Sequence, residues 1–157
     1  MTTAEKFVYK LIQLGYHVSC AESCTGGKLA AALVDIADAS KVLDASIVTY
    51  ANEAKMHYLG VSKDTLDTFG AVSEETAYEM AKGVAIANHA EVGLSVTGIA
   101  GPGGGTKEKP VGTVCFGFFI NGTITTIRKQ FGDLGRNAVR DASVSFALQQ
   151  ALELLSK

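Results

Sequence analysis

Residues 18–27, V-S-C-A-E-S-C-T-G-G, decide how the rest of the chain is read. An apolar-leaning strand runs into Glu22-Ser23-Cys24-Thr25 and a double glycine, after which a helical pattern begins at Lys28. A hydroxyl at such a corner sits beside unpaired N–H groups and the positive end of a helix dipole. That is a seat for a nucleophile and for a developing oxyanion. The competing structural role for Ser23 or Thr25 is a plain helix cap, which hydroxyl side chains often supply.

Outward from this corner, helical and strand patterns alternate. Upstream, Ala4, Phe7, Val8, Leu11 and Ile12 recur at helical spacing until Gly15, and residues 17–22 form the first strand. Downstream, residues 28–36 read as an alanine-rich helix and residues 42–50, V-L-D-A-S-I-V-T-Y, as a β-branched strand. Asn52 is placed to cap a short helix through Leu59, stopped by Gly60. Residues 62–69 give a further helical turn or two, and Ser73 with Glu74 and Glu75 opens a longer helix. Residues 91–97 form a strand that feeds the glycine-rich stretch 98–105. Two strands, 111–120 and 123–131, flank Asn121-Gly122, a strong hairpin signal, and residues 134–155 close the chain as a long helix. The order predicts an α/β fold: a three-layer α/β/α sandwich around a mixed, mostly parallel five-stranded sheet, as one domain over residues 1–157. Ligands gather at the carboxyl ends of parallel strands, and the stretches after Glu22, Tyr50 and Thr97 all leave strand ends.

The bulk properties narrow the function classes. With 157 residues, 47% hydrophobic and 19% charged, the chain has the composition of a compact globular domain. A net charge of −2 with interspersed signs leaves no footprint for nucleic acid. No apolar run approaches the ~20 residues a membrane span needs, and Glu5, Lys6 and Lys10 break any secretory leader, so a cytoplasmic protein is expected. Cys20, Cys24 and Cys115 make no disulfide framework, and no second Cys/His pair follows with metal spacing, so no metal site is expected.

Three further features bear chemistry. In T-Y-A-N-E-A-K (residues 49–55), Lys55 falls on the first turn of the short helix, an odd place for a cation. It is either a solvated surface lysine or a partly desolvated amine near Ser23, where burial would turn it into a general base. Tyr50 either hydrogen-bonds to one of this pair or simply finishes its strand. The stretch G-I-A-G-P-G-G-G-T-K-E-K-P-V-G-T (98–113) matches neither standard phosphate motif: Gly104 stands where a P-loop needs lysine, and Thr106 where G-x-G-x-x-G needs glycine. It is a close-approach ligand loop or a flexible surface loop. Arg136 and Arg140 share one face of the last helix, suited to phosphate or to Asp133 and Asp141. Cys24 is the rival nucleophile, since a thiol at a helix N-terminus can be activated.

Taken together, A-E-S-C-T-G-G, V-T-Y-A-N-E-A-K and T-G-I-A-G-P-G-G-G-T-x-E-K-P-V-G-T-V closely resemble the CinA C-terminal domain family, with G-A-V-S-E-E (70–75) and the late arginines in keeping. The resemblance covers nearly the whole chain. It implies hydrolysis of the carboxamide of nicotinamide mononucleotide to nicotinate mononucleotide and ammonia, without a cofactor. It implies Ser23 and Lys55 as nucleophile and base with Tyr50 beside them, and Thr97 and Arg140 at the substrate. The expected substrate-binding set is Thr25, Gly26 and Gly27 at the first corner, Thr97, Gly98, Gly101, Gly105 and Thr106 in the glycine-rich stretch, and Arg140. The family's compact F-x-G-D-R is looser here, as F-G-D-L-G-R over 131–136, which leaves Arg136 less defined than Arg140. The extra N-terminal nucleotide-processing domain of two-domain members is not within these residues, so pyrophosphatase activity is not expected. A homo-oligomer is expected. The alternatives are a non-catalytic nucleotide-binding or interaction module of the competence/damage type, and an amidase for another small amide.

Overall fold

Helix α1 (Thr3–Leu14) begins where it does because Thr2 and Glu5 close a reciprocal capping box, and it ends on Gly15 in the left-handed conformation. In the computed structural model, which describes Met1–Lys157, eleven further elements follow. They are β1 (Val18–Glu22), α2 (Lys28–Val34), a 3₁₀ turn (Ala39–Lys41), β2 (Ile47–Val48), α3 (Asn52–Leu59), α4 (Lys63–Phe69), α5 (Glu74–Ala87), β3 (Val92–Gly98), β4 (Thr113–Ile120), β5 (Thr123–Gln130) and α6 (Arg136–Leu155).

The sheet order is β2-β1-β3-β4-β5, with β1 parallel to both β2 and β3, and β4 antiparallel to β3 and to β5. Only β4 therefore runs against the rest, and the mixed α/β sandwich expected from the sequence is the fold found. One face carries α1, α2 and α6. Phe7, Leu11, Leu29, Leu33, Leu148 and Ala151 from these helices meet Val18, Leu94, Phe116 and Phe118 of the sheet in the main core. The other face carries α3, α4 and α5, where Leu59, Leu66, Met80 and Val84 form a smaller cluster with Ala21 and Val61. Helix α5 packs closely on the sheet. A Cβ on Gly117 would stand 2.3 Å from the Ala77 carbonyl oxygen, so only glycine lets α5 and β4 approach this closely.

Local signals placed most boundaries within a residue or two. Ser62 and Ser73 cap α4 and α5 through their hydroxyls, and Gly60 ends α3 in the left-handed conformation. The hairpin turns on Asn121 and Gly122, both at positive φ. Two expectations are corrected. The strand over 42–50 shrinks to Ile47–Val48 plus a single bridge from Leu43 to Val18. The reason is that Ser19 Oγ donates to the Ala45 carbonyl and Ser46 Oγ accepts from the Cys20 N–H, so side chains replace ladder bonds along β1. Asn52 does not cap α3; Ala51 holds that position without a side-chain bond, and Asn52 is the first helical residue.

Strand order reverses about β1: α2 carries the chain to β2 on one side, and α3–α5 carry it back to β3 on the other. The carboxyl ends of β1, β2 and β3 consequently open into one crevice, where α/β sheets bind ligands.

Candidate active site

Ser23 follows the last residue of β1, and its N–H donates to the Val96 carbonyl at 2.9 Å, fixing it against β3. On the other side the Thr49 N–H donates to the Glu22 carbonyl at 2.8 Å, bringing the end of β2 alongside. Neither Ser23 nor Thr25 caps α2. Gly27 occupies the cap at φ +104° without a side-chain bond. The fully buried carboxylate of Glu22 accepts instead from the N–H groups of Leu29 and Ala30 at 2.8 and 2.9 Å. The positive end of α2 is thus already neutralised by an internal anion. The N–H groups of Cys24 and Thr25, in the turn between, make no hydrogen bond within the chain.

Lys55 reaches this turn from α3 and is only 1% exposed. Its Nζ lies 3.1 Å from Ser23 Oγ, 2.8 Å from the Thr49 carbonyl oxygen and 3.2 Å from that of Tyr50. Burial lowers its affinity for a proton from the usual 10.5, with the Cys24 sulfur pulling weakly the other way. The amine is therefore a desolvated group in contact with the serine, not a solvated surface cation. Burial pushes the Cys24 thiol up to about 11, which keeps it protonated and poorly nucleophilic at neutral pH.

Ser23 and Lys55 border a cavity of about 260 Å³, whose wall includes Tyr50, Asn52, Val72, Thr97, Gly98, Gly101, Gly103, Gly104 and Arg136. No carboxylate lines it. Thr97 is buried, and its hydroxyl donates to the Ala71 carbonyl at 2.9 Å, tying β3 to the approach to α5. Tyr50 is 63% exposed at the mouth. It meets Lys55 through its backbone carbonyl, while its hydroxyl accepts from Arg136 at 3.0 Å.

The remaining expected residues stand further out. Gly105 and Thr106 line an adjoining cleft of about 800 Å³ that shares Gly103 and Gly104 with the cavity. Thr106 closes the loop tip by accepting from the Lys109 N–H and donating its own N–H to the Lys109 carbonyl. Thr25, Gly26 and Gly27 shape the turn behind Ser23 and do not line the cavity. Arg140 does not line it either. Its guanidinium donates to the carbonyls of Cys24 and Thr25 at 2.9 and 3.0 Å and to Asn137 Oδ1, bracing the turn from outside. Arg136, the less defined arginine in the sequence, is the one at the cavity. Sequence reasoning missed Asn52 and Val72 as wall residues and Glu22 as the internal cap. Glu22 could have been found, because a carboxylate one residue before the turn is within reach of the first helical N–H groups.

Comparison with known proteins identifies the family and its fold. A family model described as the CinA C-terminal domain matches residues 1–155. The chain is 54% identical over 140 residues to the nicotinamide-nucleotide amidohydrolase PncC of Enterobacter agglomerans, covering 88% of this chain and 84% of that protein. It is 50% identical over 145 residues to a CinA-like protein of Kosmotoga olearia, of whose length it spans only 35%. Among solved structures, the competence/damage inducible protein CihA of Agrobacterium tumefaciens superposes with a TM-score of 0.91 at 45% identity, covering 100% of this chain and 98% of that one. A CinA superfamily protein of Klebsiella pneumoniae superposes with a TM-score of 0.94 at 38% identity, covering 98% and 96%.

Proposed function

We propose that this chain, which belongs to the CinA C-terminal domain family, hydrolyses the carboxamide of nicotinamide mononucleotide to nicotinate mononucleotide and ammonia. Ser23 is the nucleophile and Lys55 its base. The observation that carries the proposal is the buried Lys55 amine 3.1 Å from Ser23 Oγ, with two carbonyls as its only other partners. A neutral amine has two N–H groups and one lone pair. The carbonyls of Thr49 and Tyr50 take the two N–H groups, which leaves the lone pair for the serine proton. The relative named for this activity aligns over most of both chains.

The steps follow from these contacts. Ser23 Oγ attacks the amide carbon as its proton passes to Lys55 Nζ. The carbonyl oxygen becomes an oxyanion, met by the uncommitted N–H group of Cys24, a residue of the cavity wall. The Lys55 ammonium then protonates the departing nitrogen, the C–N bond breaks and ammonia leaves. Neutral again, Lys55 takes a proton from water, whose oxygen attacks the acyl carbon. Ser23 Oγ recovers that proton as the nicotinate product departs.

The test is ammonia release from nicotinamide mononucleotide by the wild type, Ser23→Ala and Lys55→Ala. Each variant is expected to lose at least about 10²-fold in turnover, the lower end of what a positioned proton acceptor supplies. Full activity in either one ends the Ser–Lys assignment. Several relatives carry only the name of putative competence-damage inducible protein. A wild type that binds the nucleotide without releasing ammonia would accordingly assign the cavity to nucleotide binding alone.

A further inference from the structure

We infer that Arg136, clasped to Tyr50 across the cavity mouth, is the group that selects a phosphorylated nucleoside over the bare nucleoside. The inference rests on the amidase site proposed above and adds to it the recognition of the 5′-phosphate.

The basic groups around the strand ends are committed in different ways. Lys55 is held at the buried end by Ser23 and two carbonyls. Arg140 spends its guanidinium on the Cys24 and Thr25 carbonyls and Asn137, outside the cavity. Lys109 donates to the Phe69 carbonyl and Arg128 to the Glu108 carbonyl, and neither lines the cavity. Arg136 alone combines a place on the cavity wall with exposure at its mouth. One guanidinium nitrogen donates to the Gly101 carbonyl at 2.6 Å and another to the Tyr50 hydroxyl at 3.0 Å.

Both partners are neutral acceptors. A phosphate oxygen adds its own negative charge and a bidentate geometry that neither neutral acceptor can match, so an incoming phosphate displaces the phenol. The planar fork can keep one edge on Gly101 while turning the other to the anion. No carboxylate lines the cavity to oppose it. Gly103 and Gly104 line the same wall, and their N–H groups make no hydrogen bond within the chain, so they supply further donors. Substrate polarity follows: amide toward the buried Ser23–Lys55 end, phosphate toward the exposed Arg136 end.

The experiment measures equilibrium binding of nicotinamide mononucleotide and of its 5′-dephosphorylated nucleoside to Ser23→Ala protein, with and without Arg136→Gln. The preference for the nucleotide is expected to shrink by about 10- to 100-fold in Arg136→Gln, the span of a hydrogen bond to a charged group. Arg136→Lys should recover part of it. Tyr50→Phe, which removes only the clasp, should leave the preference within about threefold, well short of that loss. In the enzyme with Ser23 intact, Arg136→Gln should raise KM for the nucleotide far more than it lowers kcat. A merely structural strap would instead weaken both ligands equally, and Tyr50→Phe would reproduce the effect; either result overturns the inference, as does an unchanged preference. A wild type that releases no ammonia ends the amidase reading, while the binding ratio still decides the role of Arg136. Failure of the Ser23→Ala protein to bind the nucleotide overturns both.

Discussion

At Lys55, burial and charge oppose each other, and the pH dependence follows from that conflict. The folded protein holds this amine below its usual 10.5, so between the lowered value and 10.5 the unfolded chain binds more protons. Stability therefore rises with pH across that window, and the cost of burying the charge is fully present below it. On the proposed mechanism activity follows the same titration, because only the neutral amine can accept the Ser23 proton. The kcat/KM for ammonia release is expected to climb with pH along a limb whose midpoint lies below 10.5. Lys55→Arg retains the charge but cannot give up its proton. It should lose about 10²- to 10⁴-fold in rate and show no such limb. A pH–rate profile of both proteins checks this, and a flat wild-type profile would remove Lys55 as the base.

The β1–α2 turn is the element on which the site hangs, and Glu22 holds it closed. Its carboxylate satisfies two N–H groups at the start of α2 that no other side chain reaches. Glu22→Ala would orphan both in a buried setting, at about 1–3 kcal/mol for each unsatisfied group. Urea denaturation should show a loss of that order, and an unchanged midpoint would contradict the capping role. The same bonds commit the first N–H groups of α2, which is why the proposed mechanism gives the oxyanion to the Cys24 N–H and not to the helix itself. Arg140 supports this turn from α6 by gripping the carbonyls of Cys24 and Thr25. It therefore braces the turn without lining the cavity.

Across the fold, α6 links the main core to the site. Near its start it carries Arg136 and Arg140; further along, Phe146 packs on the fully buried Phe116 with ring centroids 4.7 Å apart. Phe118 and Phe131 extend the aromatic cluster. Phe116→Ala is expected to cost about 3–5 kcal/mol, a large share of the roughly 5–15 kcal/mol that holds a domain of this kind together. Thermal unfolding would register it as a markedly lower Tm, and a Tm near the wild-type value would place the main core elsewhere.

By itself the sequence determined what depends on near neighbours. Gly15 and Gly60 stop helices, Ser62 and Ser73 start them, and Asn121-Gly122 turns the hairpin, because each acts through bonds or dihedrals within a few residues. The alternation of elements then sufficed for the layered sheet, and three strand-end motifs sufficed to bring Ser23 and Lys55 under suspicion as a pair. Only the tertiary structure decided that Glu22 rather than a hydroxyl caps α2, that most of the 42–50 segment leaves the ladder, and that Arg136 rather than Arg140 faces the cavity. The two arginines sit one helical turn apart, and no local rule tells which one meets a turn more than a hundred residues away. That choice belongs to the packing of α6 against the sheet, which fixes the direction of every side chain it carries.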